Sequence, residues 1–135
     1  MHGKAGYNLC MNTHKSKPTE LPAKNLAKLY RALAHPIRLQ LLNQLLQEDA
    51  CVCHLMFVLR RPQPYVSQQL ATLRAAGLVN DRREGQVVYY QLADPAIADL
   101  IALGQQVLGR QRQPMDLPKA VLGPIAECTC PKCNP

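Results

Sequence analysis

The sequence has no tryptophan and a single phenylalanine, and aromatic residues fill only 4% of its 135 positions. Proteins that hold single-stranded nucleic acid by stacking need several exposed rings, so that class is excluded. No apolar run approaches the ~20 residues of a membrane-spanning helix. The opening stretch, MHGKAGYNLC, lacks the apolar centre of a secretory signal, so the expected location is cytoplasmic. Acidic residues are scarce: nine Asp and Glu face sixteen Lys and Arg, for a net charge of +7. That balance points to an anionic partner, nucleic acid or a membrane surface. With 47% hydrophobic and 19% charged residues, the chain is expected to form one globular domain and little more.

Cysteine, by contrast, is plentiful. The six thiols cluster as Cys10, then Cys51 with Cys53, then Cys128, Cys130 and Cys133. A reducing compartment keeps thiols free, and clustered thiols there read as metal ligands or redox groups rather than disulfide staples.

Residues 1–19 are polar and basic without apolar periodicity and are expected to form a mobile arm. Leu26, Leu29, Tyr30 and Leu33 then fall at helical spacing, and Pro36 opens a second helix carrying Ile37, Leu41, Leu42, Leu45 and Leu46. A short helix is expected over roughly Val52 to Leu59, broken by Arg60-Arg61-Pro62-Gln63-Pro64. The next runs from about Pro64 to Ala76, buries Val66, Leu70 and Leu73, and stops at Gly77. The period then becomes two. Leu78 to Arg83 and Gln86 to Leu92 read as strands joined at Glu84-Gly85, with Val88, Tyr90 and Leu92 sharing a face. Asp94-Pro95 begins a last helix, and residues 110–135 read as an irregular, cysteine-bearing tail. The core domain is thus residues 20–109.

A short helix, a tight break and a helix with an uncharged polar face form a helix-turn-helix pattern. Ser67, Gln68 and Gln69 suit base contact at the start of the second helix, being short or flexible hydrogen-bonders. Arg82 and Arg83 flank the hairpin turn and suit phosphate or minor-groove contact. Gln63, Arg74 and Gln86 complete the DNA-facing candidates. The fold expected is mainly α with a small β-hairpin wing, a winged helix-turn-helix.

Three stretches together resemble the ArsR/SmtB metal-sensing repressors. These are Arg31-Ala-Leu-Ala-His-Pro-Ile-Arg38, Val66-Ser-Gln-Gln-Leu-Ala-Thr-Leu-Arg-Ala-Ala-Gly-Leu-Val79 and Arg82-Arg-Glu-Gly-Gln-Val-Val-Tyr-Tyr90. The resemblance covers about residues 21–108. It implies a homodimer built on the first and last helices. Such a dimer binds double-stranded, palindromic operator DNA and releases it when metal arrives, commonly at an efflux or detoxification gene.

In that family Cys-Val-Cys at the place of Cys51-Val-Cys53 marks a site for arsenite or soft divalent ions. Within a continuous helix, residues i and i+2 diverge, but at a helix start the first is not yet helical, so both sulfurs can turn toward one ion. The helix dipole there also favours thiolate. Arsenite-responsive members carry a third cysteine three residues after the pair, where this chain has Met56. Cadmium and lead sensors recruit arm cysteines, a role that Cys10 with His14 fits. His54 is a further candidate ligand and His2 a weak one, while His35, before a helix proline, reads as packing or capping. Zinc sensors often use histidines of the last helix, and this sequence has none after His54. Cys128, Cys130 and Cys133 form either a second site or the third-ligand source for Cys51 and Cys53. The effector classes open are Cd(II), Pb(II) or Zn(II), and As(III) or Sb(III).

Three rivals remain in view. A redox repressor would use Cys51 and Cys53 as a reversible disulfide. A zinc-stabilised architectural module predicts an unfolded apoprotein, whereas these leucine-rich helices should fold unaided. A thiol oxidoreductase would need the Cys130-Pro-Lys-Cys133 pair at a helix start. Only two residues of this sequence follow Cys133, so no enzyme is expected.

Overall fold

The computed structural model describes residues 22–113 and 116–135. Helix α1 spans Lys24–Leu33 and α2 spans Pro36–Gln47, with Pro36 in the first turn where its missing N–H is harmless. A two-residue strand β1, Ala50–Cys51, leads directly into α3, Val52–Leu59. Helix α4, Gln63–Ala75, is followed by β2, Val79–Glu84, and β3, Val87–Leu92, and α5 is Ala96–Arg110. The winged helix-turn-helix expectation holds.

Local chemistry explains each break. Arg60 ends α3 in the left-handed region at φ 52°, and its N–H returns to the Phe57 carbonyl. That conformation disfavours most non-glycine residues, yet it turns the chain sharply enough for α4 to begin at Gln63. Gly77, at φ +75°, closes α4: its N–H donates to the Arg74 carbonyl and that of Leu78 to the Leu73 carbonyl. Asp94 Oδ1 accepts from the N–H of Ala96 at 2.8 Å and so starts α5.

The sheet order is β1-β3-β2, all antiparallel. The third strand is an addition to the hairpin anticipated from sequence. Two residues carry no readable alternation, and β1 exists because Ala50 pairs with Tyr90 and Cys51 with Tyr89. The hairpin face needs a similar correction. Tyr90 and Leu92 do pack on the main core, but Tyr89 on the opposite face is more deeply buried, under the tail.

The main core joins Leu41, Leu42 and Leu45 of α2, Leu55 of α3, Val66, Leu70 and Leu73 of α4, and Ile97 and Ile101 of α5. Leu70 lies at 0% exposure in the middle of α4. Leu70→Ala is expected to cost about 2–5 kcal/mol, a lost transfer free energy plus a cavity, and urea denaturation reads it directly. Leu26, Tyr30, Leu103 and Val107, on α1 and α5, stay largely exposed. A groove of about 410 Å³ runs between these two helices, lined by Leu33, Leu100 and Leu108 among others.

Residues 116–135 contain no helix or strand and pack as a second, smaller core around Tyr89, Ile125 and four cysteines.

Candidate thiol centre and nucleic-acid interface

The tail is held to α2 and α3 by paired polar groups. Gln44, buried in α2, donates from Nε2 to the Val121 carbonyl at 2.7 Å and accepts the Val121 N–H on Oε1 at 2.8 Å. His54 Nε2 meets the same carbonyl at 2.7 Å. A carbonyl only accepts, so Nε2 carries the hydrogen and Nδ1 is left as an acceptor. At 3.8 Å from that Nδ1 lies Cys133 Sγ. Asn43 binds the Pro118 carbonyl, Glu48 accepts from the N–H of Gly123, and Lys132 Nζ reaches both the Asp49 carbonyl and Glu48. Burying Gln44 and His54 without these partners would cost about 1–3 kcal/mol each, so tail and domain stabilise one another.

This docking brings Cys51, Cys128 and Cys130 together. Their sulfurs all lie within 4.8 Å of one another, and Cys51 Sγ is 3.2 Å from Cys128 Sγ. All three thiols are buried. Burial pushes the Cys51 and Cys128 thiols up and keeps them protonated at neutral pH. Burial acts upward on Cys130 too, but the Cys133 amide and the thiols of Cys51, Cys128 and Cys133 outweigh it and hold Cys130 at about 6. One member of the cluster is therefore a thiolate at pH 7, ready to take a cation.

Cys53 lies outside this cluster. Cys51 is the extended cap of α3, at φ −80° and ψ 165°, whereas Cys53 is already inside the helix and exposed. The helical divergence of i and i+2 prevails here, because Cys51 is drawn inward by its strand pairing with Tyr89. Cys53 instead lines the rim of a cavity of about 290 Å³ that also touches Cys51, Cys130, Gln63 and Gln86. His54 is buried one step from the cluster, in the Val121 network. His2, Cys10 and His14 lie outside the described residues. His35 occupies the cap position of α2 but makes no side-chain cap bond.

The donor set tests well against a thiophilic ion. A Zn–S length of about 2.3 Å implies tetrahedral sulfur–sulfur edges of about 3.8 Å, so small rotations would close these thiols on one centre. Soft, buried thiolates select Zn(II), Cd(II) or a trivalent metalloid over hard cations.

The DNA-facing candidates lie on α4 and the hairpin. Gln63 and Gln68 are exposed, and Ser67 and Gln69 half-buried along the start of α4. Arg74 pairs with Asp81 at 3.1 Å. Arg82 pairs with Asp49 at 3.0 Å and Glu84 at 2.9 Å, and these carboxylates favour its charged form. Arg83 and Gln86 are exposed beside the Gly85 turn. Sequence reasoning passed over Arg60 and Arg61 at the helix-turn-helix bend, with Arg61 lying over the Tyr65 ring at 6.0 Å. The adjacent basic pair before two prolines was the available signal. It also passed over Tyr89, whose ring carries the Arg82 guanidinium at 5.5 Å while its hydroxyl side meets Cys130.

A five-helix framework with a helix-turn-helix, a β-wing and a buried thiol cluster beside them defines a winged-helix regulatory domain. Residues 35–81 match the profile of the bacterial regulatory protein, arsR family. The chain is 45% identical over 74 residues to the HTH-type transcriptional repressor SmtB of Mycobacterium tuberculosis, and the match spans 55% of each protein. The crystal structure of Mycobacterium tuberculosis Rv0081 superposes with a TM-score of 0.63 at 37% identity, covering 72% of this chain and 95% of that one. A homodimeric winged helix-turn-helix DNA-binding domain from Mycobacterium bovis, described as a possible ArsR-family regulator, gives 0.61 at 31% identity, covering 71% and 94%. The protein belongs to the ArsR family. Among the described residues no helix is long and apolar enough to cross a membrane.

Proposed function

We propose that this protein is a metal(loid)-responsive transcriptional repressor that binds a palindromic operator as a homodimer and leaves it when a thiophilic ion occupies Cys51, Cys128 and Cys130. One observation carries the reading: Cys51 caps the first helix of the helix-turn-helix and is also strand-paired to the wing. A change at its sulfur therefore bears on both DNA-reading elements. Support also comes from the named repressor among its relatives and from the +7 charge. In this reading residues 20–109 bind DNA and dimerise through the apolar faces of α1 and α5, residues 110–135 complete the sensor, and residues 1–19 are an arm.

A bound ion supplies strong, short bonds between sulfurs on separate segments. The chain does the rest. Cys51 ties the start of α3 to the tail, and Tyr89 carries the same constraint along β3 toward Arg82. Ser67, Gln68, Gln69 and Gln63 read base edges, while Arg74, Arg82, Arg83 and Gln86 hold phosphate or groove. DNA favours one disposition of these elements and the closed thiol cluster another. Such couplings run to about 1–3 kcal/mol and are reciprocal, so DNA weakens ion binding by the same factor.

The test is fluorescence anisotropy of the reduced, metal-free protein on its own promoter DNA, titrated separately with Cd(II), Zn(II), Pb(II) and arsenite. Release by at least one ion is expected, with affinity falling about 5–150-fold. The 3.2 Å approach of Cys51 and Cys128 favours one rival, a redox repressor using that pair rather than Cys51 and Cys53. Release by peroxide, reversed by a thiol reductant, with no response to any ion, would establish it instead.

A further inference from the structure

Cys133 does not belong to the close trio, yet it is not elsewhere. It is buried in the same small core as Cys51, Tyr89, Ile125, Cys128 and Cys130. Its thiol is a side-chain partner of both Cys128 and Cys130. Cys51 touches the same two. Cys128 and Cys130 thus form a shared edge, and Cys51 and Cys133 each meet both of its ends, which is the outline of a tetrahedron with one edge, Cys51 to Cys133, still open.

The backbone is set for closing it. The Cys130 carbonyl accepts from the N–H of Cys133 at 3.1 Å and of Asn134 at 2.8 Å, so the chain turns back tightly over Cys130. Asn134 Nδ2 ties that turn to the Cys128 carbonyl at 2.6 Å. Peptide N–H groups face the sulfurs as well: that of His54 toward Cys51, of Cys130 toward Cys128, and of Cys133 toward Cys130. These donors compensate the negative charge that buried thiolates accumulate. Cys133 itself leans on His54 Nδ1 at 3.8 Å, a contact that a thiol can leave by one rotation.

We infer that Cys51, Cys128, Cys130 and Cys133 are the four ligands of a tetrahedral, divalent d10 ion, Zn(II) or Cd(II), in this chain. A trivalent metalloid is satisfied by three sulfurs in a pyramid and would leave Cys133 a protonated thiol sealed in the same pocket. A divalent ion uses all four, the thiol protons passing to solvent as the bonds form. This assignment rests on the ion-responsive reading above and specifies its ion class.

Co(II) serves as the probe, in the reduced full-length protein, because its tetrahedral visible bands and sulfur-to-metal charge transfer count thiolates. The wild type is expected to show a tetrahedral four-thiolate spectrum displaced by one equivalent of Zn(II). Cys133→Ser should lose about a quarter of the charge-transfer intensity and bind Zn(II) at least about tenfold more weakly. Its arsenite affinity should stay within about twofold of the wild type, since three thiols remain. Cys53→Ser and Cys10→Ser should leave the spectrum unchanged, and circular dichroism confirms that each variant is folded. An unchanged spectrum in Cys133→Ser overturns the assignment, as does loss of the same intensity in Cys10→Ser or Cys53→Ser. DNA release is scored separately. A four-thiolate spectrum without release removes the effector role and keeps the centre, whereas release with a three-thiolate spectrum does the reverse.

Discussion

Cys128→Ser is expected to bind operator as tightly as the wild type and to stay bound at ion concentrations that release the wild type. Cys53→Ser, one residue into α3, should respond much as the wild type does. The asymmetry follows from burial. Cys128 lies at 0% exposure within the small core of Cys51, Cys130 and Cys133, so its sulfur can share an ion only with those thiols. Cys53 is exposed on the rim of the adjoining cavity, where any contribution to a closed centre would require the helix start to unwind. Neither residue lies on α4 or on the hairpin, so operator affinity without ion is expected to change by less than about twofold. The wild-type coupling of about 1–3 kcal/mol should fall to near zero in Cys128→Ser. Anisotropy titrations of both variants with the releasing ion decide the matter. Full release of Cys128→Ser together with a silent Cys53→Ser would move the ion to the Cys51–Cys53 pair and remove the tail from sensing.

The elements of the domain were largely legible because each is dictated over a short span. The bounds of α3, Val52–Leu59, coincide with the sequence reading, since an apolar run there is ended by Arg60 and two prolines. Helix α4 begins one residue earlier than expected and ends one earlier, a fraying-scale difference. The thiol centre was only partly legible, for a different reason. Cys51 stood out as a ligand, but its partners lie far along the chain, and nothing local in Cys128-Thr-Cys-Pro-Lys-Cys133 tells where an irregular segment will dock. The docking depends on Gln44 and His54, polar residues that a helical wheel assigns to no particular partner until Val121 arrives. The same contact explains Tyr89. An alternating strand shows which residues share a face, and it was the tail that decided which face is the more deeply covered.

The wing offers the second large effect. Arg82→Ala should weaken operator binding and flatten its salt dependence by close to one phosphate contact, a change in slope of about 0.9. Arg82 is bound to Asp49 and Glu84, which would argue against a phosphate role if those pairs were strong. They are exposed, and exposed ion pairs are worth roughly 0–1 kcal/mol, so a phosphate competes with them easily. Tyr89 is then the informative partner. Its ring supports the guanidinium at 5.5 Å, and its hydroxyl, pushed up by burial and by Cys130, stays protonated beside that sulfur. Tyr89→Phe keeps the ring and removes the hydroxyl's contacts with Cys130 and the Lys132 backbone. It should leave ion-free operator affinity and its salt slope unchanged while reducing the ion-induced loss of affinity by about threefold, a part of the coupling near 0.6 kcal/mol. Arg82→Ala should change both the slope and the coupling, and the double variant should show no further loss of coupling if the two residues act in series. Additive losses in that cycle would mean that Tyr89 and Arg82 carry the constraint from the thiols to the wing by separate routes rather than in series.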